Sequence, residues 1–393
     1  MAKAAAITAR VTATTTKNKN VKTAIVILNW NTKGFLERFL PGILASAGCA
    51  PDGTPLGEHA VIVADSASID GSLEMMAEKF PAVQRIPLDK NYGFTGGYNR
   101  ALAQLEDFEY FLLLNSDIEV PTGWLEPLVS YMDTHPECGA CGPKLHAWQD
   151  KGRFEYAGAA GGYLDAYGYP FCRGRVLKRV EQDGGQYDGG VKRVLWVTGA
   201  CLLVRSRLWK ELGGLDDRFF AHMEEIDFCW RLQLAGWQVC VVPQSVVWHV
   251  GGGTLPNDSP WKLELNYRND LLMLRNNLAK TYAAALNKGD AVRAARSGLA
   301  RAERVITRRM LLDGMSGIVY LLTGRWKALR AVFKAHGAFR RLQKGPTRTE
   351  LAAWLPGNRT DVKGLYPKWI VPQALLCGEK IFDIVHRFDA ENK

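Results

Sequence analysis

Short apolar runs alternate with amphipathic segments through the first third of the chain, and this alternation limits the possible folds more than any other feature. Three mainly apolar runs are typical of strands buried on both faces: 23–29, 59–64 and 110–114. A short further strand is predicted at 83–87. The segments between them predict helices: 34–47, 72 to about 80, and 97–105. The chain is therefore predicted to be an α/β protein with a Rossmann-like, mainly parallel sheet and helices on both faces.

The later part of the chain carries weaker strand signals and then a long helical region. The stretch 140–200 predicts loops with a few antiparallel strands, although Leu195–Val204 predicts a strand that Gly199 interrupts. A helix is predicted from Glu225 to Leu234. Two further short strands are expected: 239–243 and 246–249. From about Trp261 onward the pattern is mostly helical.

Composition and cysteine usage exclude several classes of protein. With 47% hydrophobic residues the 393-residue chain can bury a sizeable core, and it holds no apolar run of the roughly 18–20 residues that a membrane span needs. Its eight cysteines are scattered, which is typical of reduced, mostly buried thiols. Residues 1–20 lack the apolar core of a secretion signal, so they predict a disordered tail on a cytoplasmic protein.

Polar residues follow the strand ends, where parallel α/β sheets bind their ligands. The candidates are small polar residues and a glycine that follow successive strands: Asn29, Asn31, Asp65, Asn91, Gly97, Asn115, Ser116 and Asp117. An aspartate here can accept a hydrogen bond from a base or a ribose, and a glycine-containing loop before a helix favours phosphate. Each residue alone could equally be a helix cap or a turn residue. Their occurrence together predicts a ligand site that suits a nucleotide.

Asp117 and His249 are the candidates for a metal site. A carboxylate at the end of a buried strand can hold Mg²⁺ or Mn²⁺, which in turn bridges a diphosphate. His249 lies at another strand end, directly before a run of glycines, and imidazole suits Mn²⁺ better than Mg²⁺. A single histidine of this kind can also be purely structural.

Three acidic residues, Glu224, Glu225 and Asp227, lie among aromatic side chains at the start of a predicted helix. Helix starts favour acidic residues, so capping is one explanation for the cluster. A cap does not need three carboxylates, however, and a general base that deprotonates a hydroxyl would be a carboxylate in a partly apolar setting. The cluster is therefore a candidate catalytic site.

Seven motifs in order give the chain a resemblance to a known family. They are Ile-Val-Ile-Leu-Asn-Trp-Asn31, Asp65-Ser-Ala-Ser-Ile-Asp-Gly-Ser72, Asn91-x-Gly-Phe-x-x-Gly-x-Asn99, Leu-Leu-Asn-Ser-Asp117, Thr-Gly-Ala-Cys-Leu-Leu-Val-Arg205, Glu-Glu-Ile-Asp-Phe-Cys-Trp-Arg231 and Trp-His249-x-Gly-Gly. Over residues 21–275 the chain resembles glycosyltransferase family 2, which has the A-type nucleotide-diphospho-sugar transferase (GT-A) fold. The spelling of the motifs is similar to the rhamnosyltransferase-like branch of that family.

The resemblance implies an inverting transfer of a sugar, with rhamnose as the candidate, from a dTDP- or UDP-linked donor. Asn29, Asn31 and Asp65 would hold the nucleoside of this nucleotide-diphospho-sugar. Asp117 would bind the metal, Mn²⁺ or Mg²⁺, together with His249. The acceptor would be a hydroxyl of a glycan or a lipid-linked molecule in surface polysaccharide synthesis.

The resemblance also implies which residues act on the acceptor. Glu225 matches the position of the catalytic base, although the family usually has Glu-Asp where this chain has two glutamates, so Glu224 and Asp227 are alternatives. Gly199 would lie near the donor sugar and the acceptor. Asn115 replaces the first aspartate of the Asp-x-Asp motif of the family, so it would contact the metal only through water.

The positive charge of the chain is concentrated in one C-terminal segment. The net charge is +10, yet residues 280–344 hold 15 Lys and Arg against three acidic residues, so the rest of the chain sums to −2. The resemblance divides the chain into the tail, a catalytic domain (21–275) and a helical basic region (276–393).

Within 280–345, cations alternate with apolar residues at helical spacing. This pattern predicts either a helix lying on an anionic membrane, where lipid-linked acceptors reside, or a helix pair packed on the catalytic domain. The first would place the protein peripherally on the inner face of the cytoplasmic membrane. Nucleic-acid binding is not expected, because the aromatic residues are not interleaved as a base-stacking platform.

Two other functions would also use a nucleotide-binding sheet. A sugar-nucleotide-forming nucleotidyltransferase would favour a glycine-rich basic loop after the first strand, and Asn29–Gly34 lacks one. A non-catalytic, nucleotide-binding membrane scaffold would bind donor and metal without turnover. The leading hypothesis is a metal-dependent glycosyltransferase.

Overall fold

The computed structural model describes residues 21–251, 259–358 and 361–392, so the tail predicted at 1–20 and the final glycine of the Trp-His249 motif lie outside it. Within these ranges the chain forms fourteen strands: β1 (Thr23–Asn29), β2 (His59–Asp65), β3 (Gln84–Pro87), β4 (Tyr110–Asn115), β5 (Ile118–Glu119), β6 (Cys138–Ala147), β7 (Asp150–Phe154), β8 (Gly162–Leu164), β9 (Pro170–Cys172), β10 (Arg175–Val176), β11 (Arg179–Val180), β12 (Lys192–Arg193), β13 (Cys201–Arg205) and β14 (Gln238–His249). The same ranges contain twelve α-helices: α1 (Lys33–Ser46), α2 (Ser72–Lys79), α3 (Gly93–Leu102), α4 (Glu126–Thr134), α5 (Ser206–Glu211), α6 (Glu224–Leu234), α7 (Pro260–Leu286), α8 (Ala291–Leu322), α9 (Trp326–Leu342), α10 (Arg348–Trp354), α11 (Ile370–Cys377) and α12 (Ile381–Glu391).

Ten of the strands form one mixed sheet, and β8 to β11 form a second, smaller sheet. Along the main path of the large sheet the strand order is β12-β14-β6-β13-β4-β1-β2-β3. β1 runs parallel to β4 and β2, and β2 runs parallel to β3. The register pairs Asn29 with Asp65 and Leu28 with Asn115, so these strands end at one edge of the sheet. The predicted fold class, an α/β sheet with helices on both faces and a helical C-terminal region, is confirmed.

Three local expectations differ from the structure. The strand expected at 195–204 is shorter, because residues before β13 leave the sheet and only Cys201–Arg205 pair along β4. The two strands expected between 239 and 249 are the single strand β14, whose register shifts between Val241 and Val246. The ten-residue strand β6 lies where the sequence predicts loops, since it contains no β-branched residue and forms through pairing with β14 and β13.

The large sheet buries an apolar layer on each face. Alternate residues of β1 point to opposite faces, so Ala24 and Val26 pack in one layer and Ile25 and Ile27 in the other. Helices α1, α2 and α4 cover the second layer, whereas α3, α6 and the C-terminal helices α7, α8 and α9 cover the first. Seven of the eight cysteines are buried free thiols and Cys377 is half-buried, as the sequence predicts.

Helices α7, α8 and α9 are joined by a buried cluster of charged residues. Arg309 of α8 donates to Asp270 of α7 at 2.5 Å and to Asp313 at 2.9 Å, and its guanidinium lies 3.8 Å from the ring centroid of Tyr169. His336 of α9 lies 3.2 Å from the other carboxylate oxygen of Asp313. The boundary predicted between 275 and 276 falls inside α7, so one helix connects the two regions.

No helix in the described ranges combines the length and the apolarity that crossing a membrane requires.

Arg309→Met is expected to lower the free energy of unfolding strongly, because it leaves Asp270 and Asp313 buried without their cation. Removing one partner of a buried ion pair typically costs about 3–5 kcal/mol. Urea unfolding followed by circular dichroism measures the loss. Arg308, the exposed neighbour on the same helix, supplies the control, and Arg308→Met should change stability by less than about 0.5 kcal/mol. Equal losses in the two variants would contradict this role of the cluster.

Candidate active site

The carboxyl ends of the parallel strands open into a cavity of about 600 Å³. Its walls come from the ends of β1, β4 and β14, the starts of α3 and α7, and the turn before α6. Eight of the predicted residues line it: Asn91, Asn115, Ser116, Asp117, Gly199, Glu224, Glu225 and His249. The other five do not: Asn29, Asn31, Asp65, Gly97 and Asp227. The fold therefore brings together residues that are more than 150 positions apart in the chain.

Asp117 and His249 meet at one side of the cavity, together with Glu155. The imidazole Nε2 lies 3.2 Å from Asp117 Oδ1, and Nδ1 lies 3.6 Å from Glu155 Oε2. Burial opposes charge on both partners, but the hydrogen bond and the positive charge of His249 hold the pKa of Asp117 below its ordinary value. Although burial lowers it, the two carboxylates raise the pKa of His249 to about 10. In the absence of another cation, this pocket therefore favours an imidazolium.

These residues suit a divalent cation whose remaining ligands come from a substrate. Within the described ranges no group of three His, Cys, Asp or Glu side chains forms a metal site by itself. Asp117 and His249 nevertheless supply a carboxylate and an imidazole side by side, and Glu155 faces the other nitrogen of the ring. A metal-bound histidine usually has a carboxylate or carbonyl at that second nitrogen, which orients the ring. The donor set therefore fits Mn²⁺ or Mg²⁺ with diphosphate oxygens completing the shell.

Glu224 and Glu225 begin α6 at another wall of the cavity. Burial raises the pKa of both carboxyl groups above the ordinary glutamate value, and the charge of Glu225 raises that of Glu224 further. One carboxylate oxygen of each residue is buried without a hydrogen-bond partner among the described residues. Because Gly199 has no side chain, its backbone packs closely against Glu225 and Phe94. A Cβ at this position would lie 3.4 Å from the Cβ of Glu225 and 3.1 Å from Phe94. This setting suits a carboxylate that accepts a proton.

The turn before α6 is strained and is held by a side chain from α7. Phe220, His222 and Met223 have φ between 66° and 72°, a region that costs of order 1–3 kcal/mol for a residue with a side chain. Asn269 of α7 spans the turn, with its amide nitrogen within 2.9 Å of three carbonyl oxygens: those of Phe219, Ala221 and His222. Asn269 thereby fixes where α6, and with it Glu225, begins.

Asn29, Asn31 and Asp65 hold a loop in place at the end of β1. Asp65 is fully buried and accepts hydrogen bonds from the Asn29 amide at 2.6 Å and from the Ser68 backbone at 2.9 Å. The Asn31 side chain accepts from the same loop at 2.8 Å. These bonds give the three residues a structural role in the loop, and the contacts to a nucleoside predicted for them stay a prediction. Ser66, the residue after Asp65, lines the cavity instead.

Gly97 and Asp227 also have structural positions. A Cβ at Gly97 would lie 2.8 Å from Leu28, so this glycine lets α3 approach β1 closely. Asp227 is fully buried and accepts from Arg231 at 2.8 Å and from two amides: Asn276 and Asn277. The roles predicted for these two residues beside the donor and the acceptor do not fit their positions.

Several cavity residues carry no signal that the sequence analysis used. Glu155 follows β7, whose exposed, charged sequence does not resemble a buried strand. His222 lies three residues before Glu225, and burial together with the nearby charge of Lys262 lowers its pKa to about 4, so its imidazole is neutral. Trp261 lies at the start of α7 in edge contact with Phe220. The aromatic residues of 219–230 are the one sequence feature from which His222 could have been predicted as a site residue.

Gly93→Ala is expected to destabilise the protein more than Gly123→Ala. Both glycines have positive φ, +72° and +78°, so each substitution carries a similar backbone cost of about 1 kcal/mol. A Cβ at Gly93 would also lie 2.4 Å from the carbonyl oxygen of Phe220, whereas Gly123 has open space. Urea unfolding should show a further loss of about 1–3 kcal/mol for Gly93→Ala. Equal losses of unfolding free energy in Gly93→Ala and Gly123→Ala would mean that the turn before α6 moves to accommodate the added Cβ without cost.

Comparison with known proteins relates the chain to glycosyltransferases. The family model described as glycosyl transferase family 2 matches residues 24–185. The chain is 27% identical to the N-acetylglucosaminyl-diphospho-decaprenol L-rhamnosyltransferase of Mycobacterium tuberculosis over 67% of this chain and 87% of the relative. It is also 27% identical to the rhamnosyltransferase WbbL of Escherichia coli, over 39% of this chain and 58% of WbbL.

Among solved structures, a mannosyltransferase from Pyrobaculum calidifontis in complex with GDP-Man and Mn²⁺ aligns with a TM-score of 0.45 and 14% identity, covering 81% of this chain and 87% of that one. From the family match and the sequence relatives, the chain carries a glycosyl transferase family 2 domain, is similar to rhamnosyltransferases and is a glycosyltransferase.

Proposed function

We propose that the protein is an inverting, metal-dependent glycosyltransferase that moves a sugar from a nucleotide-diphospho-sugar to an acceptor hydroxyl. The observation that carries this proposal is that Glu225 and the Asp117–His249 pair line the same cavity. The first supplies a proton acceptor, and the second suits the cation of a diphosphate. Gly199 lines the same cavity beside Glu225 and Phe94.

Glu225 is the proposed base because it lines the cavity and is half-buried, whereas Glu224 is only 4% exposed. Glu225 would accept the proton of the acceptor hydroxyl while the hydroxyl oxygen attacks the anomeric carbon. The nucleoside diphosphate leaves from the opposite face of the sugar. A single displacement of this kind inverts the anomeric configuration, since no enzyme carboxylate forms a bond to the sugar.

Asp117 and His249 would hold the divalent cation, and Glu155 would orient the imidazole from behind. When bound, Mn²⁺ or Mg²⁺ offsets the negative charge that grows on the departing diphosphate. On the protein side, Ser116 and Asn91 line the cavity where the donor would lie. Asn91 also accepts from the backbone N–H of Gly93 at 2.8 Å, so it fixes the start of α3.

The names of the relatives favour L-rhamnose as the sugar and a lipid-linked acceptor, because one relative is named for an N-acetylglucosaminyl-diphospho-decaprenol substrate. We extend both to this chain as part of the proposal, with a dTDP- or UDP-linked donor and a role in surface polysaccharide synthesis at the inner face of the cytoplasmic membrane. The catalytic-domain limits 21–275 stay a prediction. The nucleotidyltransferase and scaffold alternatives are less well supported, since the family match favours neither.

Asp117→Asn and Glu225→Gln are expected to separate binding from chemistry. A panel of nucleotide sugars with Mn²⁺, scored by thermal shift, first identifies the donor. Asp117→Asn should then lose the Mn²⁺-dependent part of the shift. Glu225→Gln should keep it but lose about 10²–10⁴-fold in the rate of transfer.

Glu224→Gln is the matched control for the base, and it should reduce the rate by less than about tenfold. A full loss in Glu224→Gln with a mild effect of Glu225→Gln would transfer the role to Glu224. If the donor binds but the wild-type protein neither transfers the sugar nor slowly hydrolyses the donor, the scaffold hypothesis replaces the proposal.

The pH dependence of transfer should report the raised pKa of the base. Glu225 must be deprotonated to accept a proton, and burial raises its pKa above the ordinary glutamate value. The rate at limiting donor should therefore fall as pH decreases, with its acid midpoint above the ordinary glutamate range. Steady-state kinetics in buffers of constant ionic strength measure the profile. A midpoint near 4.5 would contradict the assignment of a buried base.

A further inference from the structure

The end of the hairpin formed by α8 and α9 exposes an unusual amount of apolar surface. Of the seventeen large hydrophobic side chains that are exposed in the described residues, eight lie between 311 and 333. We call this segment, residues 311–333, the hairpin tip. It contains Leu311, Met315, Ile318, Val319, Leu321, Leu322, Trp326 and Phe333, which are 44–80% exposed. So dense a patch of apolar side chains on a solvent-exposed face indicates an interaction surface.

The apolar side chains of α8 form one continuous stripe. Leu311, Met315, Ile318 and Leu322 recur at intervals of three or four residues, which places them on the same face of the helix. Arg304 and Arg308 extend this face toward the body of the protein, one to two turns before the stripe. On α9, Trp326 and Phe333 are seven residues apart and therefore share a face.

The charge that surrounds the tip is positive. Arg304, Arg308, Arg325, Lys327 and Arg330 are all exposed. The acidic residues of this stretch do not offset them, because Asp313 is buried against Arg309 and Glu303 pairs with Arg275. An apolar stripe flanked by exposed cations is complementary to the headgroup and acyl boundary of an anionic bilayer.

The tip lies beside the mouth of the cavity. The hydroxyl of Tyr320, near the end of α8, lies 3.3 Å from that of Tyr267 on α7. Trp261 and Lys262, which line the cavity, are five to six residues earlier on α7, or about 9 Å along the helix axis. Lys334 of α9 lies 4.0 Å from Glu264, which ties the other arm of the hairpin to the same end of α7.

We propose that the hairpin tip inserts into the interface of an anionic membrane and so holds the cavity mouth at the lipid surface. The partner is the bilayer itself, and the purpose rests on the proposed function, because a lipid-linked acceptor presents its hydroxyl at that surface. The apolar stripe supplies the depth of insertion. The cations on both helices supply the preference for anionic lipid.

The test uses the full-length protein and vesicles of phosphatidylcholine with or without phosphatidylglycerol. Wild type should float with the anionic vesicles about tenfold more than with the neutral ones. The double variant Ile318→Glu/Leu322→Glu should lose that binding. Leu56→Glu, an exposed apolar residue on a loop outside the hairpin, is the matched control and should float like wild type. Bromine-labelled lipids should quench tryptophan fluorescence in wild type and less in Trp326→Phe.

Thermal unfolding of each variant shows whether the fold is intact. Glu225→Gln should bind vesicles as wild type does, so loss of transfer and loss of membrane binding are separate results. Unchanged flotation of Ile318→Glu/Leu322→Glu would overturn the proposal. A wild-type dimer in size-exclusion chromatography that this variant converts to a monomer, without any vesicle binding, would assign the tip to a second copy of the chain instead.

Discussion

The hydrogen bonds from Asn269 to the turn before α6 are the contact on which the site depends. Three residues of that turn have left-handed backbone, and most of the donors to its carbonyl groups come from outside the turn. One amide on α7 reaches three of them. The position of Glu225 is therefore set by a helix that also packs against α8 and α9. The C-terminal helices complete the first apolar layer of the sheet, and through α7 they also shape the cavity.

The parts of the site that could be predicted are those fixed by local pattern. Asn115, Ser116 and Asp117 end an unmistakably apolar strand, and His249 ends another. Because the ends of parallel strands share an edge, residues at such positions converge without any knowledge of tertiary contacts. The composition of its segment, with three acidic residues among aromatics, predicts Glu225, which lines the cavity. In each case the signal lay within a few residues of the functional side chain.

The parts that could not be predicted depend on partners far away in the chain. Asp65 has the position of a ligand contact, yet in the fold its carboxylate also accepts from Asn29, and nothing local in the sequence indicates that pairing. Glu155 lies beside the imidazole of His249 although 94 residues separate them. Asn269 sits in a helix of ordinary appearance. Such roles follow from which buried polar groups lack a partner, and that is a property of the assembled fold.

The same contacts connect the hairpin tip to the chemistry. Arg309 fixes α8 to α7 through Asp270, the residue next to Asn269, so α8 and the turn before α6 are both bonded to the same stretch of α7. A membrane that holds the tip would therefore also hold the turn before α6, and Glu225 lies at the start of that helix. An acceptor confined to the bilayer surface then meets the base in a restricted orientation, which favours transfer because less rotational freedom is lost on binding. Under this proposal the basic helices bind the membrane, and they thereby position the cavity for an acceptor at the lipid surface.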